Sequence, residues 1–302
     1  LRRQRQMCIR DSYYNVPWGW WNFSYTYSES EYRAPGDLDG YKYKQTGDSQ
    51  NHQLRAERVV HRDDVSKTSV NVGLTHLRTN NYFNDERLDV SSNRLSEFQV
   101  GINHGRRIGS AFVNLDVGMQ NGTGAFDAQK DDQERIRGNL TPTPRYRKYT
   151  ATVSYLQPFM LWGESLSFSS LATGQRSEDV LYPAQRMSLG GSYSVRGFKD
   201  QQLTGDSGGY WRNEVRWARP VTLDWMRPAF AEYGASVGYD QGVIRNDRYN
   251  DDQHGRVSSN SLELFARGKN VSTSVTFAHS LERPGVMTER EAPIYFRLDF
   301  YL

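Results

Sequence analysis

The segment Trp21-Asn22-Phe23-Ser24-Tyr25-Thr26-Tyr27-Ser28 alternates aromatic and short polar side chains without a break. Successive side chains of an extended strand point to opposite faces, so this octet has one apolar and one polar face. The rhythm recurs at Val70, Val72 and Leu74 against Asn71, Gly73 and Thr75. It recurs again at Val113, Leu115, Val117 and Met119 against Phe112, Asn114, Asp116 and Gly118. Ala151, Val153 and Tyr155 repeat it against Thr150, Thr152 and Ser154, and the chain ends on Ile294, Phe296, Leu298, Phe300 and Leu302 alternating with Tyr295, Arg297, Asp299 and Tyr301. The pattern predicts about twelve strands, near 18–31, 48–62, 66–79, 86–104, 108–121, 144–159, 161–175, 209–220, 228–240, 258–268, 269–281 and 293–302. Most are longer than the roughly 5–6 residues usual in soluble sheets and suit a membrane wall, where ~9–11 tilted residues are needed. Long polar connections such as 122–143 and 241–257 alternate with short turns such as 105–108 and 160–163, the arrangement of outer-membrane proteins. The expected fold is all-β, a transmembrane antiparallel β-barrel. A soluble sandwich shares the rhythm but has shorter strands, with turns every ~8–12 residues.

Composition agrees. The 302 residues carry a net charge of +3, which leaves no electrostatic footprint for nucleic acid. Mean hydropathy is −0.79, and no apolar run approaches the ~20 residues of a membrane helix. A barrel passes both tests, because only alternate residues face lipid. Aromatics form 13% of the chain, with 19 Tyr and 7 Trp, enough for interfacial girdles. No helix and no fixed-period repeat is evident. His52, His61, His76, His104, His254 and His279 show no metal-ligand spacing, and neither a nucleophile elbow nor a P-loop is present. No enzyme activity, cofactor or metal is expected, and the pairs Asp63-Asp64, Asp131-Asp132 and Asp251-Asp252 read as solvated loop residues. Residues 1–12 are arginine-rich, lack aromatics and hold the single cysteine, Cys8. They read as a sequencing artefact or a basic linker, with the barrel at 13–302.

One connection differs from the other loops. Residues 176–208 contain Met187-Ser188-Leu189-Gly190-Gly191-Ser192-Tyr193-Ser194-Val195-Arg196-Gly197-Phe198. Val195 and Phe198 give this loop apolar anchors, glycines allow tight turns, and Arg196 needs a partner if buried. On the strand read at 228–240, Phe230, Glu232 and Gly234 fall on the polar, lumenal side. On 209–220, Arg212, Glu214 and Arg216 share a face opposite Trp211, Val215 and Trp217.

These residues resemble the two-partner-secretion transporters of the TpsB type, the haemolysin secretion/activation proteins (ShlB/FhaC/HecB-like). The resemblance rests on Val195-Arg196-Gly197-Phe198, on Gly205-Asp206-Ser207-Gly208-Gly209 followed by Arg212-Asn213-Glu214, and on Phe230-x-Glu232-x-Gly234. It extends to Val16-Pro17-Trp18-Gly19-Trp20-Trp21 and Ser30-Glu31-Tyr32 near the start. It implies an outer-membrane pore that exports a large partner exoprotein (a haemolysin, an adhesin or a contact-dependent inhibition toxin). In that family the loop arginine pairs with the carboxylate of a lumenal Phe-x-Asp-x-Gly, which here points to Arg196 on Glu232, with Asp206, Arg212, Glu214 and Arg216 as supporting lumenal charges. It also implies a family-typical sixteen strands, so that an N-terminally truncated fragment is expected. Some four strands, the POTRA domains and a plug helix would precede it, and the piece would neither close nor secrete alone. The implied partners are the client with its N-terminal secretion domain, outer-membrane lipid and the barrel-assembly machinery, with a monomer in the bacterial outer membrane. The alternatives are a BAM-type insertase and a passive porin.

Overall fold

A computed structural model describes residues 6–38, 41–89, 91–129, 142–245 and 253–301. The period-two segments become long strands: β1 (Gln6–Trp18), β2 (Trp21–Leu38), β3 (Tyr41–Arg62), β4 (Ser66–Phe83), the two-residue β5 (Glu86–Arg87), β6 (Asn93–Ile108), β7 (Ala111–Thr123), β8 (Arg147–Leu161) and β9 (Glu164–Ser177). After the loop hairpin of β10 (Met187–Leu189) and β11 (Leu203–Gly205) follow β12 (Ser207–Pro220), β13 (Glu232–Arg245), β14 (Gly255–Arg267), β15 (Val271–Glu282) and β16 (Ile294–Phe300). Among the described residues fourteen strands form one antiparallel sheet, each long strand pairing with its neighbours in chain order from β1 to β16, while β5 pairs with β4 and β10–β11 stand apart.

Burial shows which side of this wall meets water. Val70, Val72, Leu74, Val117, Val237, Leu262 and Leu264 are exposed, while Ser69, Asn71, Ser236, Asp240, Ser259 and Ser261 between them are buried. This is the inverse of a soluble sheet, and only a lipid-facing exterior around a polar interior makes it stable. Residues 19–20, 63–65, 109–110, 162–163 and 268–270 turn tightly at one end, where 221–231 is the long exception, whereas 178–206 and 283–293 are long at the other. Gly163 (φ +81°) closes a two-residue turn with Trp162 (φ +50°). A left-handed backbone is strained for a bulky residue, and this tryptophan is 92% exposed at the short-turn rim, with Trp18, Trp20 and Trp225 also exposed. An indole at the membrane–water boundary offsets such strain by anchoring the wall at headgroup level.

Three expectations shift. The first strand begins earlier than the one read at 18–31, since residues 6–18 form β1 in register with 21–33 of β2. The strand read at 86–104 is two elements, because Asn84 and Asp85 take left-handed backbone and fold β5 back onto β4. The strand read at 228–240 begins only at Glu232. Residues 223–230 instead form turns closed by Met226 N–H to the Leu223 carbonyl and Phe230 N–H to the Met226 carbonyl. Phe230 therefore lies outside the wall.

Candidate functional site

The loop 178–206 rises from the long-loop end and packs on the inner face of β12–β14. Its hairpin supplies Met187, Leu189, Val195, Phe198 and Leu203 to a buried cluster completed by Ile244 and Val257 of the wall and by Met287 from the β15–β16 connection. Val195 and Phe198 are fully buried, so the two residues next to the Arg196-Gly197 pair fix it in place.

Arg196 enters a socket of charges. Its Nε donates to Asp240 Oδ2 at 2.8 Å, its Nη2 to Asp240 Oδ1 at 2.7 Å, and its backbone N–H to Asp240 Oδ2 at 3.0 Å. Nη1 donates to Glu214 Oε2 at 2.8 Å. The Asp240 side chain is wholly buried and that of Arg196 is 5% exposed. A buried carboxylate is costly unless a cation meets it with good geometry, and a bidentate guanidinium is the strongest such partner. Arg212 Nε lies 3.6 Å from Asp240 Oδ1, and Arg212 Nη1 donates to the Tyr193 carbonyl of the loop at 2.8 Å. Two cations and two carboxylates thus balance within the socket. Strand pairing sets this up, since Arg212 lies across from Asp240 and Glu214 across from Gly238. Gly238 makes the room: a Cβ there would sit 2.2 Å from Arg196 Nη2.

Two further groups hold the tip. Tyr295 of β16 donates to the Arg196 carbonyl at 2.9 Å. Glu291, in the β15–β16 connection, accepts the backbone N–H groups of Lys199, Asp200 and Gln201 at 2.6, 3.0 and 3.0 Å. Burial works against the Glu291 charge, but the N–H groups of Asp200, Lys199 and Gln201 more than offset it and hold the carboxyl below its ordinary value. A depressed folded pKa means that its contribution is present above the unfolded pKa and is lost as pH falls through the folded one. Protease access to residues 199–201 is therefore expected to rise on acidification, and Glu291→Gln is expected to raise access at neutral pH and flatten that dependence.

The arginine is where the sequence placed it, but its partner is not. Glu232 pairs with Arg216, Nη2 to Oε1 at 3.1 Å. It stands eight residues before Asp240 on the same strand, about 26 Å along it at the ~3.3 Å rise of a strand. No side chain spans that distance. Gly234 lies on the inner face near Glu232, beside Phe265, and Phe230 precedes the strand, so the Phe230, Glu232, Gly234 set does not form the socket. Arg216 stacks on Phe265, 3.7 Å from its ring centre, and belongs with Glu232. Asp206 also falls elsewhere: at the loop base it meets Arg186 at 3.3 Å and accepts the Leu181 N–H at 3.0 Å. The sequence reading missed Asp240, Gly238, Glu291 and Tyr295. The available signal was Asp240-x-Gly242, a second carboxylate-and-glycine pair of the same spacing and lumenal parity. Asp131-Asp132 and Asp251-Asp252 lie outside the described residues. Because Glu232 is remote from the tip, Glu232→Gln in a complete transporter is expected to leave secretion within about twofold of wild type, the scale of a partly exposed ion pair.

A continuous antiparallel wall with an inverted exterior, and a loop arginine buried against its inner face, define this chain as part of an outer-membrane β-barrel. It belongs to the haemolysin secretion/activation protein ShlB/FhaC/HecB family, whose model matches residues 3–266. Over 286 residues it is 29% identical to the outer membrane transporter CdiB of Dickeya dadantii, covering 94% of this chain and 49% of that protein. It is 30% identical over 252 residues to the hemolysin transporter protein HpmB of Proteus mirabilis, covering 83% and 43% respectively. The structure of CdiB from Escherichia coli superposes with a TM-score of 0.89 at 30% identity, over 97% of this chain and 52% of that one. The chain therefore spans about half the length of the relatives it matches. BamA from Haemophilus ducreyi, at 11% identity and a TM-score of 0.59, shares the fold.

Proposed function

We propose that this wall belongs to a transporter that exports one large partner exoprotein across the outer membrane, with the Arg196 loop occupying the lumen at rest. The observation that carries the proposal is the clamp of Arg196 on Asp240 and Glu214. A passive porin has no need to balance two carboxylates and two arginines around a loop tip, whereas a conduit that must close between substrates does. Release of the tip would clear the inner face of β12–β14 for an unfolded chain. No nucleotide is available outside the inner membrane, so folding of the client at the surface would bias movement outward, and the pore itself would carry out no bond chemistry. Family membership favours the hemolysin- and CdiB-type role over that of an insertase. The client's N-terminal secretion domain, the barrel-assembly machinery during biogenesis and a monomeric state complete the proposal.

The test uses the complete transporter gene together with the exoprotein gene beside it, scoring client in the medium. Client appearing only when the transporter is present supports export. Loss of unrelated barrels from the outer membrane on transporter depletion, with client release unchanged, would favour the insertase.

A further inference from the structure

The outward face of β9, β12 and β13 at the long-loop rim carries two arginines that no part of the plug uses. Arg176 and Arg245 are both exposed. Arg245 pairs in register with Ser207. Ser207 lies one rung beyond the Gly208–Gln175 pair, which puts it beside Arg176. The two arginines thus stand two strands apart, about 10 Å at the ~4.8 Å strand spacing, with only a serine between them. Two guanidinium arms at that separation can close on one phosphate.

Beneath them the lipid-facing wall is bare. Gly174 and Gly209 are register partners on the outward face, followed by Ala172 and the exposed Trp211. A Cβ at Gly174 would meet only the Gly208 carbonyl, at an ordinary contact distance of 3.8 Å, whereas one at Gly209 would press on the Thr173 carbonyl at 2.9 Å. A recess of about 540 Å³ begins just above Gly174, lined by Gly209, Arg176 and Arg245 and also by the carboxylates Glu178, Asp179 and Asp206, of which Asp179 accepts the Arg147 N–H and Asp206 pairs with Arg186. Its height along the barrel fixes its surroundings. Arg176 lies twelve residues along β9 from Glu164 at the short-turn rim, roughly 30 Å of axial rise for a tilted strand, which reaches the opposite headgroup layer.

We propose that this recess is a site for a phosphate-bearing lipid of that leaflet, Arg176 and Arg245 holding the phosphate while an acyl chain lies over Gly174 and Gly209. The site depends on the barrel alone and stands apart from the secretion reading. Free phosphate satisfies the arginines equally but leaves the side-chain-free Gly174–Gly209 pair below them unexplained. Glu178, 3.4 Å from Arg176, competes for one arm.

The experiment measures lipid retained by the complete, detergent-purified transporter, using a bisphosphorylated glycolipid (lipid A), its phosphate-free form and inorganic phosphate as probes. Arg176→Gln/Arg245→Gln is expected to cut lipid A retention about tenfold, the scale of a lost charge-assisted pair, and Glu178→Gln to raise it. Gly174→Leu, whose Cβ comes no nearer than 3.8 Å to a neighbour, is expected to lower lipid A retention with both arginines intact. Heat-modifiable migration checks that each variant is a folded barrel. Equal retention of lipid A by all variants overturns the site. So does equal retention of the phosphate-free form, or displacement of lipid A by inorganic phosphate at matched concentration.

Discussion

An Arg196→Ala transporter is expected to reach the outer membrane in normal amount and to secrete at least about tenfold less client, since breaking a buried pair by removing one partner costs about 3–5 kcal/mol. The loss falls on the plug rather than on the wall. Asp240 is fully buried and takes three of its bonds from Arg196, whereas the wall is held by continuous strand pairing through β12, β13 and β14. Arg212, already 3.6 Å from Asp240, provides residual neutralisation, so insertion survives the single change and the double Arg196→Ala/Arg212→Ala is expected to insert poorly. Arg196→Lys is expected to fall between, because a point charge cannot bind both Asp240 oxygens and Glu214 at once. Client in the medium, normalised to barrel in the membrane, is the measurement. Normal export from a well-inserted Arg196→Ala protein would refute a role for the clamp.

A Gly238→Val substitution is expected to produce the same loss with every charge still present. The valine Cβ would lie 2.2 Å from Arg196 Nη2, 2.9 Å from its Cζ and 2.7 Å from Ser261 Oγ. The guanidinium cannot yield, because Asp240 and Glu214 hold it on three sides, so the loop tip must leave. Secretion should drop about tenfold or more, as for the arginine deletion, and protease should cut within 190–201 far faster than in wild type. The strand itself tolerates valine, whose branched side chain suits β structure. A protected loop and wild-type export would show that the tip does not depend on this socket. Taken with the mild Glu232→Gln outcome, the pair separates a clamp centred on Asp240 from one at the foot of β13.

Much of this was open to inspection in the chain. The Trp21–Ser28 alternation and its repeats specified strands, their faces and an apolar exterior, because parity along a strand is a local property. Asp240, Arg212 and Glu214 could each be placed on the polar side by the same parity. Depth could not be placed so. Parity repeats every second residue, so Glu232, Ser236 and Asp240 are equivalent by face and differ only in height. Height depends on where β13 begins, and the turns at 223–230 that delay it arise from backbone bonds hidden in an apolar-looking run. Register with β12 then sets Arg212 beside Asp240.

Residue type and short-range spacing were enough for the all-β wall, its inside-out polarity and the glycine-rich loop segment that carries Arg196. Which carboxylate receives that arginine, that Gly238 leaves it room, and that Glu291 and Tyr295, more than ninety residues further on, hold the tip emerge only in the folded chain. Those are contacts between segments far apart in the chain, fixed by strand register and loop packing, and no local pattern encodes them.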